Sequence, residues 1–141
     1  DYLDEDGNPI PLHRKLYEYP ALIESRCRDW KIHDEQFERL RTLAARCEEE
    51  GVRLTIVLPP MAENVRTEVC AKYGIDTAMT QTVLPALQEW AETYSFTVLD
   101  YEWGGSCIQN DDTQFFDGFH LDERYGLPDW TRQLFGDIGA A

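Results

Sequence analysis

The sequence predicts an α/β protein built on a parallel sheet. Two short apolar runs with strand character, 52–58 and 96–100, lie far apart and are joined by segments of helical periodicity. The first run ends at Pro59-Pro60, which cannot continue a ladder. A strand followed by helices and a second strand is the pattern of a parallel crossover rather than of a hairpin.

Along the chain, residues 1–19 carry an Asp6-Gly7 turn signal, two prolines and no clear period, and are expected to form an extended arm or irregular hairpin. Pro20 can open a short helix to about Trp30. The next helix should be capped by Asp34, bury a stripe of Phe37, Leu40, Leu43, Ala44 and Cys47, and stop at Gly51. The run Val52-Arg53-Leu54-Thr55-Ile56-Val57-Leu58 is the first expected strand. A helix from about Ala62 to Tyr73 ends at Gly74. Asp76 can cap another, with Val83, Leu84, Leu87 and Trp90 inside and Pro85 kinking or splitting it. Phe96-Thr97-Val98-Leu99-Asp100 is the second strand. After a polar loop, Pro128 should begin a last helix with Trp130, Leu134 and Phe135 facing inward. The organisation is therefore 1–32, an arm and short helix, and 33–141, the α/β body. Two strands are too few for a stable sheet, so the arm or residues upstream of Asp1 should add more.

At 141 residues the chain is one domain, and its 43% hydrophobic content can fill a core. A formal net charge of −14 repels phosphate backbones and anionic lipid, which argues against nucleic-acid binding. No apolar stretch reaches membrane-spanning length and no signal peptide is present. The chain begins at Asp1 without Met. It is expected to be a piece of a longer protein, whose upstream signal or membrane anchor would not be visible here. Cys27, Cys47, Cys70 and Cys107 match no metal knuckle and no Cys-x-x-Cys pair. Cys47 and Cys70 read as small buried hydrophobes, and Cys107 lies in a Gly-rich loop.

The chemistry concentrates in Phe115-Phe116-Asp117-Gly118-Phe119-His120-Leu121-Asp122. On one turn, Asp117 can accept a hydrogen bond from one ring nitrogen of His120 and fix its tautomer. The other nitrogen can then take a proton from a nucleophile. The competing structural reading is an Asp-Gly turn with His120 packed on Phe116 or Phe119.

Taken in order, these features resemble the C-terminal half of the SGNH/GDSL hydrolase superfamily, in particular its cell-envelope acyltransferase-like branch. That branch includes the D-alanyl-lipoteichoic-acid transfer protein and alginate O-acetyltransferase-like proteins. The residues carrying the resemblance are Glu50-Gly51, the strand through Leu58-Pro59-Pro60 with Asn64 after it, and Thr97-Val98-Leu99-Asp100. They continue with Phe116-Asp117-Gly118-Phe119-His120-Leu121 and Gly126. The similarity spans about residues 33–138. It implies a flavodoxin-like, three-layer parallel sheet, of which this chain is the C-terminal part. It also implies a Ser-His-Asp triad in which Asp117 orients and His120 is the base.

The sequence departs from that family in lacking its N-terminal Gly-Asp-Ser-like nucleophile block. The only serines are Ser25, Ser95 and Ser106. Ser106 follows Gly104-Gly105 and is the sole local candidate, but the resemblance gives it no such role. The nucleophile is therefore expected upstream of Asp1. Asn64 is a candidate oxyanion donor, or a cap. Trp103 is a candidate exposed substrate contact, among Phe115, Phe116 and Phe119, which read as core. Asp111, Asp112, Asp117, His120 and Asp122 could crowd a divalent cation, but a solvated acidic loop with a helix cap explains them better, so no metal or cofactor is expected. His13 and His33 show no partner pattern.

The expectation is part of a serine esterase or O-acyltransferase acting on acylated carbohydrate or envelope polymer, extracytoplasmic and membrane-anchored in the full-length protein. The alternative is a non-catalytic envelope-binding module, and the alternative location is cytoplasmic. The isolated chain should be inactive.

Overall fold

Residues 3, 5–8, 20–103 and 114–140 are described in the computed structural model of the chain. Helix α1, Pro20–Arg28, precedes the long α2, Asp34–Glu50. Strand β1 is Thr55–Leu58. A π-helical segment, Val65–Cys70, follows, then the short α3, Ile75–Ala78, a second π-helical segment, Met79–Val83, and α4, Leu84–Tyr94. Strand β2 is Thr97–Asp100, and α5 is Gly126–Ala140.

The two strands pair in parallel, with Thr55 opposite Thr97 and Leu58 opposite Asp100. This is the α/β arrangement that the two apolar runs predict. Both strands are shorter than the runs; residues 52–54 and Phe96 lie outside the ladder. The Tyr101 N–H donates to the Leu58 carbonyl at 3.0 Å, carrying the contact one residue past β2.

Local rules account for most helix ends. Gly51 closes α2 at φ 67°, where its N–H reaches the carbonyls of Cys47 and Glu48. The other end of α2 differs from expectation: His33 holds the N-cap position, without a side-chain bond, and Asp34 is the first helical residue, where its charge still suits the helix dipole. Asp76 likewise sits inside the first turn of α3, and Gly74 at φ 69° takes the cap position. Pro85 lies in the first turn of α4, directly after the Met79–Val83 segment.

The core joins Ile23 and Cys27 of α1 to Leu58, Ala62, Val65, Cys70, Ile75, Leu87, Trp103 and Phe115. Helix α4 packs on α2 and β2, with the Phe37 and Trp90 rings 4.6 Å apart. Two inward assignments are overturned. Leu43 is half exposed while its neighbour Ala44 is the buried residue of α2, and Phe135 is 68% exposed on the outer side of α5. The inner side of α5 is fixed instead by Trp130, edge-on to Tyr101 at 6.0 Å, and by Asp137, which accepts from the Tyr101 hydroxyl at 2.6 Å. No described helix is long and apolar enough to cross a membrane.

Candidate active site

The Asp117–His120 turn is held at both ends. An antiparallel bridge joins Phe115 to Leu121. Inside it the Phe116 N–H donates to the His120 carbonyl at 2.6 Å; outside it the Asp122 N–H donates to the Gln114 carbonyl at 2.8 Å. Phe115 is wholly buried and anchors the loop in the core. Gly118 turns the tip at φ 86°, a conformation that disfavours side chains. Its carbonyl accepts from the Ala62 N–H at 2.9 Å. That bond ties the turn to the segment leaving β1, so the turn sits by the carboxyl end of the sheet, where open parallel sheets place their ligands.

Asp117 organises the turn from inside. Its Oδ1 accepts the N–H groups of Phe119 and His120 at 3.0 and 2.9 Å. The same carboxylate meets His120 Nδ1, with Oδ1 at 2.9 Å and Oδ2 at 2.8 Å. A carboxylate only accepts, so Nδ1 carries the proton and the neutral ring presents the Nε2 lone pair elsewhere. The His120 side chain is 68% exposed and Asp117 only 23%. The ring is thus outside the core and oriented by a sheltered carboxylate; it is not packed as an ordinary core histidine.

A neighbouring carboxylate is structural. Asp122 is buried and accepts the Arg124 backbone N–H and Nε at 2.9 Å and Nη2 at 2.8 Å. Its own carbonyl accepts from Tyr125 and Leu127 N–H groups, which joins the turn to the start of α5. Among the described residues no cluster of three or more His, Cys, Asp or Glu could hold a metal ion. Asp111 and Asp112 lie outside the described residues, as do His13, Ser106 and Cys107.

The remaining candidates divide. Asn64 is at the end of the β1 loop, and its Oδ1 accepts from the Val65 N–H at 2.8 Å, capping the π-helical segment. Trp103 is not exposed: 9% of it is accessible, and it belongs to the core. The cause is a turn at the end of β2, where Asp100 Oδ1 accepts the N–H groups of Glu102 and Trp103, both at 2.9 Å, and turns the indole inward. Ser95 Oγ donates to Glu48 Oε1 at 3.4 Å, at the other end of β2 from Asp100.

A cavity of about 440 Å³ opens beside His120, lined by Trp30, Met61, Ile75, Met79, Glu102 and Trp103 among others. Glu102 is the residue that sequence reasoning missed. Burial, reinforced by the Asp100 carboxylate, pushes its carboxyl up to about 7, while Trp103 and Arg66 oppose the shift. A carboxyl group in a cleft that titrates near neutrality is a mark of functional sites. The only signal in the sequence was position, two residues past a strand's carboxyl end. No protein family, curated protein or solved structure matches the chain.

Proposed function

We propose that the chain is the base-bearing part of an SGNH-like serine esterase or O-acyltransferase, with a flavodoxin-like sheet completed by segments outside it. The observation that carries this is the Asp117 carboxylate against Nδ1 of an exposed His120 at the mouth of a cavity. In this reading a serine on a segment preceding Asp1 attacks the acyl carbonyl. His120 Nε2 takes the serine proton and returns it to the leaving alkoxide. Asp117 holds the ring and stabilises its charged form. Water or a carbohydrate hydroxyl then accepts the acyl group, and acylated envelope polymer is the substrate class that the resemblance suggests. An extracytoplasmic, membrane-anchored setting belongs to the same proposal.

The test is hydrolysis of p-nitrophenyl acetate. The chain of 141 residues should be no faster than its His120→Ala variant. A longer protein restoring the upstream segment should gain activity that depends on both His120 and a serine in that segment. Robust activity of the shorter chain, abolished by Ser106→Ala, would assign the nucleophile to Ser106 instead.

A second reading, a non-catalytic binding module, is favoured by one observation. The described serines offer no nucleophile: Ser25 is on α1 and Ser95 ends α4, and neither lines the cavity. A longer protein that stays inactive with several acyl donors would favour this reading.

A further inference from the structure

The cavity is larger than a short acyl group needs. Its volume of about 440 Å³ is that of roughly fifteen water molecules at ~30 Å³ each. An acetyl group would leave most of it unfilled. Five of its walls are the apolar side chains of Trp30, Met61, Ile75, Met79 and Phe119. Thioethers adapt their shape to a flexible guest; the Met61 sulfur already packs on Cys70 Sγ at 3.6 Å.

Charge narrows the guest further. Among the described residues two charged side chains line the cavity, the exposed Arg26 and the partly buried Glu102. They are opposite in sign, and the chain as a whole carries −14. A fixed anion would be repelled by the whole chain and by any ionised Glu102, and a fixed cation would lose its water among apolar walls. A neutral aliphatic guest meets neither cost.

We infer that the cavity beside His120 binds the uncharged aliphatic chain of an acyl ester, about six to twelve carbons long, with the ester group at the His120 end. Only the placement of the ester rests on the acyl-transfer role of the dyad. Binding of the chain does not, so the two can fail separately.

The test is a titration of intrinsic tryptophan fluorescence, since Trp30 and Trp103 both line the cavity. The probes are methyl acetate, methyl butyrate, methyl hexanoate and methyl octanoate, with sodium octanoate as the anionic comparison. Binding should be saturable and should tighten about fourfold per added methylene, and the octanoate anion should bind more weakly than its methyl ester at pH 8. Met79→Trp, which fills the cavity, should abolish binding of methyl octanoate. Trp30→Ala, at an already exposed position, should weaken it at least severalfold and decides the matter if Met79→Trp does not fold.

Absence of a saturable response to methyl octanoate, affinity independent of chain length, or a folded Met79→Trp variant that binds as well as wild type would each overturn the inference. None of these readings uses turnover. Chain-length-dependent binding in a longer protein that lacks esterase activity would overturn the dyad's role and leave the cavity's standing.

Discussion

Asp117 holds His120 twice, by the backbone N–H at 2.9 Å and by ring Nδ1 at 2.8 Å. One carboxylate therefore builds the turn and sets the tautomer of the ring that the turn presents. The two roles separate by mutation. Asp117→Asn keeps an oxygen for the backbone N–H groups but weakens the pairing with Nδ1–H. It should fold with little loss and, under the proposed acyl-transfer role, lower the kcat of the longer protein by about 10²–10⁴. Asp117→Ala loses the turn contacts as well and should cost a further ~1–2 kcal/mol of stability. Thermal melts separate the two variants. ¹⁵N shifts of the ring should show Nδ1-protonated His120 in the wild type and a mixed tautomer population in Asp117→Asn; identical spectra would remove the orienting role.

Gly126 is where α5 meets the dyad loop. A Cβ there would lie 2.5 Å from the Gln114 carbonyl oxygen and 2.7 Å from Leu121 Cδ2. The first is backbone and cannot swing aside. Gly126→Ala should therefore destabilise by about 1–3 kcal/mol and displace the bridge that fixes Asp117 and His120. Gly136, in the same helix, has nothing within 4 Å of such a Cβ. Gly136→Ala should stabilise by about 0.5–1 kcal/mol. Equal melting temperatures for the two variants, or a reversed order, would mean that α5 does not dock on the loop in this way.

Much of this was legible because it depends on local chemistry. β-Branched runs, proline after a strand and glycine after a helix act within a few residues, so β1, β2 and the end of α2 were readable. The Asp117–His120 pairing was readable for the same reason, being an i, i+3 contact. The failures are tertiary. Leu43 and Phe135 are apolar and helically spaced, but which side of a helix is covered depends on where its neighbour lies. Trp103 looked exposed beside glycines; the Asp100 turn that buries it involves two backbone N–H groups that no periodicity announces. Glu102 became a site residue only because α1, the β1 loop and the Met79–Val83 segment converge around it.

Cys70 should be an inert thiol. Burial is the main cause that pushes it up to about 12 from an ordinary 9.0, with Cys27 adding to the shift. Its thiolate population at pH 8 is then roughly a thousandfold below that of a free thiol, and the thiolate is the reactive species. Iodoacetamide on the folded chain should leave Cys70 unmodified over hours and label it at once in denaturant. Peptide mapping distinguishes the cysteines. Rapid labelling of Cys70 under native conditions would show that the region around the Val65–Cys70 segment opens readily.

Glu102 should make stability and ligand binding depend on pH in a defined direction. Its carboxyl rises from an ordinary 4.5 to about 7 on folding. Between those values the folded chain keeps a proton that the unfolded chain has lost. Unfolding then releases a proton, so stability falls as pH rises through this window and levels off above it. The full difference is on the order of 3 kcal/mol, and less where water reaches the group. Glu102→Gln presents a neutral group of similar shape at every pH. It should match the wild type near pH 4 and exceed it by about 2–3 kcal/mol at pH 8. Asp100 and Arg66 act on the carboxyl, Arg26 and His120 line the same cavity, and all four are present in both proteins, so the difference between their pH profiles isolates Glu102. An aliphatic guest in the cavity would shield Glu102 further and favour its protonated form. Methyl octanoate should therefore bind the wild type more tightly at pH 5.5 than at pH 8, and bind Glu102→Gln equally at both. Parallel stability profiles for the two proteins would mean that solvent reaches Glu102 freely. Its carboxyl would then be no part of the cavity's chemistry.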